Sequence, residues 1–203
     1  MEQQVRVKDS SSMIQISTAG RKVEGLPQRF ATANLNTFKA GTPSQWAAQE
    51  ALTDYCDHIL ENLERGRSII LWGAVGSGKT HLGISVIKAA AAADKSNLIV
   101  TEDRMFDTFK ANWNDPEKEN AFLLQLQRVR FLMLDDMGVR KASEYVSDRY
   151  EAVINSRYEK VIPTIITTNL SPGRMLELYE RQMSRLMHDG LVLEVIGPDG
   201  RVA

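Results

Sequence analysis

Gly73-Ala74-Val75-Gly76-Ser77-Gly78-Lys79-Thr80 is the stretch on which the reading of this chain turns. It spells G-x-x-x-x-G-K-[ST]. In that pattern the glycines let successive backbone N–H groups turn inward around an anion, the lysine reaches β and γ phosphate oxygens, and the terminal hydroxyl ligates Mg²⁺. Average residue usage yields such a string by accident in roughly one chain in a hundred of this length. Context argues against accident: residues 68–72 ahead of it read as an apolar strand, and residues 79–93 behind it as a helix. Gly73, Gly76, Ser77, Gly78, Lys79 and Thr80 are therefore the expected holders of ATP and Mg²⁺.

Working outward, apolar strands alternate with amphipathic helices, which predicts an α/β fold with a parallel sheet covered on both faces. Further strands are expected at 97–101, 131–134, 164–168 and 191–196, for five in all. Helical stretches are expected at 103–127, 143–160 and 172–187, the first broken at Asn114-Asp115-Pro116 because proline disfavours helix before it and suits a new start. Upstream, Thr42-Pro43-Ser44-Gln45 has the form of a capped helix start, and Ala48, Leu52, Tyr55, Ile59 and Leu63 continue it at spacings of three and four up to Gly66.

Two of these strands end in polar residues at the sheet edge where ligands collect. Phe131-Leu132-Met133-Leu134 delivers Asp135 and Asp136. The first suits the Mg²⁺ shell, and the second suits orienting and deprotonating an attacking water. Ile165-Ile166-Thr167-Thr168 delivers Asn169, whose amide suits the γ-phosphate or that water, with helix capping before Ser171-Pro172 as its other use. Arg181 and Arg185, four apart on one helix, read either as a solvated face or as guanidinium groups presented to a phosphate.

The 203 residues allow one well-buried domain, expected at 41–203, preceded by a polar, mildly basic arm at 1–40 that is flexible or lightly ordered and suited to contacting a partner. Lys plus Arg (25) nearly balance Asp plus Glu (26), so nucleic acid would be held by a local basic surface and not by a global field. No apolar run approaches the roughly 20 residues of a membrane span, and a cytoplasmic protein is expected. The single cysteine, Cys56, reads as a core thiol, and the histidines do not have metal-ligand spacing.

Taken in order, these elements resemble a known family. Gly73 to Thr80 is followed by His81-Leu82, then by Asp135-Asp136-Met137-Gly138, Ser143-Glu144-Tyr145, Ile154-Asn155-Ser156-Arg157-Tyr158, Thr167-Thr168-Asn169-Leu170 and Glu180-Arg181-Gln182-Met183-Ser184-Arg185-Leu186. The order is similar to the AAA+ module of DnaC-type helicase loaders, which IstB-type transposition helpers share. The resemblance implies an AAA+ P-loop fold without a full C-terminal lid domain. It implies His81 beside the nucleotide, Asn169 as sensor 1, Arg185 as an arginine finger reaching a neighbouring subunit's ATP, and Arg201 as a sensor 2 arginine. It further implies self-association into a hexamer or helical oligomer, a DnaB-type replicative helicase as partner, and single-stranded DNA on Phe109, Ser143 and Tyr145 with Arg140 and Lys141 nearby. Core packing is the competing role for Phe109 and Tyr145. Such loaders usually carry a folded helicase-binding region ahead of the ATPase, where this chain has its polar arm.

Three functions compete at this point: a loader of a replicative helicase onto single-stranded DNA, an ATPase helper of DNA transposition, and a small-molecule kinase. Paired acids, a sensor amide and arginines acting in trans fit a water-activating assembly better than a kinase lid.

Overall fold

The computed structural model describes residues 21–141 and 143–200. Five parallel strands, β1 (Ile69–Trp72), β2 (Asn97–Thr101), β3 (Phe131–Met137), β4 (Thr164–Thr168) and β5 (Leu191–Glu194), form one sheet in the order β2-β3-β4-β1-β5. Eight α-helices and two short 3-10 helices (Gln28–Phe30 and Leu35–Thr37) accompany them among the described residues: α1 (Pro43–Asp57), α2 (Ile59–Glu64), α3 (Lys79–Ala92), α4 (Glu102–Ala111), α5 (Pro116–Arg128), α6 (Glu144–Glu159), α7 (Pro172–Leu178) and α8 (Glu180–His188). No helical domain follows β5 among the described residues.

The strands' two-residue period divides the core. Ile69, Leu71, Ile99, Phe131, Met133 and Ile165 face one layer with Leu52 and Tyr55 of α1 and Leu82, Ile84 and Ile87 of α3. Ile70, Leu98, Val100, Leu132, Leu134 and Ile166 face the other, packed on α4 to α8. A fully buried leucine or isoleucine contributes about 1.5 to 3 kcal/mol, so the two apolar layers are the main reason the chain orders at all.

Local signals place the helix ends. Thr42 caps α1 with Pro43 in its first turn. The side chain of Asp115 accepts from Lys118 N at the start of α5, which confirms the break expected before Pro116. Ser143 caps α6 and Ser171 caps α7. Two long helices of the sequence reading are in fact pairs, interrupted at His58 and at Tyr179, where the backbone leaves helical geometry.

Residues 21–38, within the segment read as an arm, lie along α3 and the outer edge of β2. The Lys88 ammonium donates to the carbonyls of Phe30, Ala31 and Ala33 at 2.7 to 2.9 Å. Ile99 N donates to Glu24 O at 2.9 Å, and Ala33 is buried. Arg157 of α6 is wholly buried. Its guanidinium donates to Leu126 O, Val129 O, Thr164 Oγ1 and Pro163 O, tying the α5–β3 turn to the start of β4.

Candidate active site

The strand order sets β1 beside β4 and β4 beside β3, so the ends of three strands meet at one edge. There the loop from Gly73 to Gly78 turns into α3. Gly73, Gly76 and Gly78 have φ of 145°, 76° and 97°, a region that side-chain-bearing residues rarely adopt, so the inward curl of the loop depends on them. Lys79 is buried, and its ammonium donates to Gly73 O at 2.9 Å and Ala74 O at 2.6 Å. Ser77 Oγ is buried without a hydrogen-bond partner among the described residues. An orphaned hydroxyl in this glycine-curled loop fits an anionic ligand that supplies the missing acceptor.

Strand β3 runs three residues further than expected, through Met137, so both acids lie within it. Asp135 is buried. Thr167 Oγ1 donates to its Oδ1 at 2.6 Å and Thr80 Oγ1 to the same atom at 3.0 Å. Burial pushes its carboxyl above the usual carboxylate range, the Thr167 hydroxyl opposes that shift, and Asp136 reinforces it. A charge in such a place calls for a cation, and Thr80 and Asp135 already bring together two hard oxygen donors of the kind Mg²⁺ takes.

Asp136 faces solvent from a left-handed backbone position, φ 58°, where the β3–β4 register shifts between Leu134 and Met137. Its N–H donates to Thr167 Oγ1 at 2.9 Å. Aspartate tolerates this region better than most residues, and the bulge turns its carboxylate away from the sheet while Asp135 stays beneath. Asn169 follows β4, exposed at the same edge, with no side-chain hydrogen bond among the described residues.

Further residues frame the loop, Phe38 and Asp199 among them, neither singled out by the sequence reading. The Phe38 ring lies against Gly78, where a β-carbon would come within 2.4 Å of it, and packs edge-on to His81. The His81 ring sits 2.9 Å from Asn34 O. Gln45, buried at the start of α1, donates to Ser77 O at 3.0 Å. A β-carbon at Gly76 would lie 2.0 Å from Asp199 Oδ1, and Gly200 N donates to Gly76 O, so the segment after β5 borders the loop. Arg201, the expected sensor 2 residue, lies outside the described residues.

Arg185 of α8 forms no hydrogen bond or ion pair with these residues among those described. Its guanidinium carbon lies 5.7 Å from the centre of the Tyr158 ring, and its Nη1 is buried without an acceptor. Arg181 approaches Glu151 at 4.0 Å.

The expected DNA contacts separate. Phe109 has no exposed surface; it packs edge-on to Phe122 beneath the Arg149 guanidinium, and in this structure offers no face to a base. Arg140 is committed to α4, with Nε 2.9 Å from Asp103 and Nη2 2.7 Å from Asp107. Its N–H, with that of Gly138, binds the buried Glu102 carboxylate, which also accepts from Tyr150 OH. Both placements have one cause: the amphipathic stripe of α4 turns Phe109 into the sheet layer and its acids toward the loop after β3. Tyr145 is half-buried, whereas Ser143 and Lys141 are exposed. Next to Tyr145, with ring centres 5.7 Å apart, stands Trp113, 61% exposed, which the sequence reading passed over. Its signal was available: a tryptophan just before a proline-started helix, four residues beyond Phe109.

A parallel β2-β3-β4-β1-β5 sheet with a phosphate-binding loop after β1, paired acids at the end of β3 and a polar residue after β4 defines an AAA+ P-loop ATPase. Within that class the chain belongs to the family described as IstB-like ATP binding protein, which it matches over residues 47–200. It is 27% identical over 192 residues to an insertion sequence IS21 putative ATP-binding protein of Pseudomonas aeruginosa, covering 90% of this chain and 72% of that one. It is 32% identical over 167 residues to the replicative helicase loader DnaC of Escherichia coli, covering 80% of this chain and 66% of the relative. With the helicase loader DnaI of Bacillus subtilis it shares 27% identity over 151 residues, 74% of this chain and 48% of that protein. The chain thus spans about half to seven-tenths of these relatives. The solved DnaC helicase loader superposes with a TM-score of 0.74 at 26% identity, covering 84% of this chain and all of that one. DnaA of Aquifex aeolicus bound to AMPPCP shares the fold, with a TM-score of 0.70 at 20% identity over 81% of this chain and 50% of that one. No helix among the described residues is long and apolar enough to cross a membrane.

Proposed function

We propose that this ATPase loads a DnaB-type replicative helicase onto single-stranded DNA as a hexamer or helical oligomer. The observation that carries the reading is the 32% identity to DnaC over 80% of the chain, together with a site in which each element of ATP hydrolysis has a residue. The loop amides and Lys79 hold the triphosphate of ATP, with Phe38 and His81 at its flank. Thr80 and Asp135 are the residues that would hold Mg²⁺, which supplies charge neutralisation on the phosphates when bound. Asp136, turned outward by the bulge, orients and deprotonates water, and Asn169 hydrogen-bonds the γ-phosphate side. Arg185 serves the nucleotide of an adjacent subunit. Single-stranded DNA runs past Ser143, Lys141 and the Tyr145–Trp113 pair, whose rings suit sequence-tolerant stacking.

The second reading, an ATPase helper of DNA transposition, is favoured by the family description and by the longer match to the IS21 protein. The two part on partner and on DNA. Pull-down of the replicative helicase from the same organism, with and without ATP, is expected to retain it in the ATP arm, with single-stranded oligonucleotide bound in preference to duplex. No helicase retained, and duplex preferred, would give the transposition reading its place.

A further inference from the structure

Several arginines of this molecule are satisfied by carboxylates: Arg140 by Asp103 and Asp107, Arg149 by Glu119, Arg174 by Glu177. Arg185 is held differently. Among the described residues it forms no ion pair and no hydrogen bond, its Nη1 is buried without an acceptor, and its guanidinium carbon stands 5.7 Å from the centre of the Tyr158 ring. The supporting frame is firm, since α8 lies along α6 with Gln182 donating to Ser147 O and Met183 and Leu186 buried beneath.

A ring and a carboxylate hold a guanidinium in chemically different ways. A carboxylate consumes the in-plane N–H donors and cancels the charge. An aromatic face attracts the cation through its quadrupole and leaves those donors, with the full charge, available to a phosphate fork. Tyr158 itself is 46% exposed, so the pair sits at the surface where a neighbouring molecule can arrive.

We propose that Tyr158 is the positioning residue for Arg185, holding its guanidinium by ring contact in an under-satisfied state until a phosphate of a nucleotide on an adjacent copy of this chain takes up its donors. The inference rests on reading Arg185 as acting in trans. Sequence alone conceals it, because Tyr158 and Arg185 are 27 positions apart on separate helices.

The test is the ATPase rate of the full chain as a function of protein concentration, with Tyr158→Phe, Tyr158→Leu and Arg185→Ala beside the parent. Tyr158→Phe keeps the ring and is expected to hydrolyse at the parent rate. Tyr158→Leu keeps apolar bulk without a ring, and its kcat should fall roughly 2- to 30-fold, with KM for ATP and the melting temperature unchanged. If it melts early, Tyr158→Met replaces it as the ring-free variant. The double variant Tyr158→Leu with Arg185→Ala is expected to be no slower than Arg185→Ala alone, because the ring works through the guanidinium. Parent-like hydrolysis by Tyr158→Leu while Arg185→Ala is impaired overturns the role of Tyr158 and leaves that of Arg185 standing. Losses that add in full in the double variant, or equal losses in Phe and Leu, overturn it too. Parent-like hydrolysis by Arg185→Ala overturns both readings.

Discussion

The hydroxyl of Thr167 on β4 donates to Asp135 Oδ1 on β3 across 2.6 Å and accepts the N–H of Asp136 at 2.9 Å. One side chain therefore aligns the proposed metal-holding acid and the backbone of the proposed catalytic acid. Thr167→Val keeps the shape and deletes both bonds. Outer hydrogen bonds of this kind are worth about 10- to 100-fold in activity. Steady-state hydrolysis should drop by that factor in Thr167→Val and largely recover in Thr167→Ser; an unchanged rate in the valine variant would remove Thr167 from the site.

Binding and chemistry should separate between Lys79 and Asp136. Lys79→Ala removes the cation of the phosphate loop and is expected to abolish ATP binding, measured with a fluorescent nucleotide analogue. Asp136→Asn preserves the left-handed backbone position, since asparagine also tolerates it, and should bind ATP yet hydrolyse it slowly. Normal turnover in Asp136→Asn would falsify its assignment as the base.

Action in trans predicts complementation. Arg185→Ala and Lys79→Ala each lose hydrolysis, the first expected to do so by about 10³-fold where subunits associate. Mixed, they should regain activity at interfaces that pair an intact phosphate loop with an intact arginine. A mixture no better than its components rules out a trans arginine.

On DNA, the two exposed-side rings and the buried one should behave oppositely. Trp113→Ala and Tyr145→Ala are expected to fold and to weaken single-strand binding by about 1 to 3 kcal/mol for each stack lost, with the salt slope little changed. Phe109→Ala instead empties a core position and should destabilise the fold by about 3 to 5 kcal/mol. Anisotropy of a labelled oligonucleotide and a thermal melt of each variant decide the matter; parent-like DNA affinity in both surface variants would mean that the strand passes elsewhere.

Arg157 offers a purely structural comparison. Arg157→Met would leave three carbonyls and the Thr164 hydroxyl without their donor in the interior, with no carboxylate to lose alongside. A cost of about 3 kcal/mol, or roughly 6 to 12 °C in Tm, is expected, with kcat of the folded fraction unaltered. A melt within about 2 °C of the parent would show that water enters and satisfies those groups.

How much of this was legible beforehand follows from the range of the physics involved. The phosphate loop, the five strands, the helix start at Thr42-Pro43 and the break at Pro116 are set by local rules: glycine torsions, a two-residue or 3.6-residue apolar period, and capping by the next few residues. A one-dimensional string contains all of these, and their alternation dictates the parallel α/β fold. What β3 does at its end, why Asp136 turns out while Asp135 stays in, and which threonine binds them depend on the register of β4 beside β3, which joins residues some thirty positions apart. The fate of the aromatics was likewise a tertiary matter. Phe109 and Trp113 lie on the same short stretch, but only the packing of α4 against α5 and the sheet decides that one ring fills the core and the other meets solvent. Sequence by itself determined which chemistry the chain can perform; the folded arrangement alone decided which side chains are placed to perform it, because burial and hydrogen-bond partners are properties of surfaces brought together across the chain.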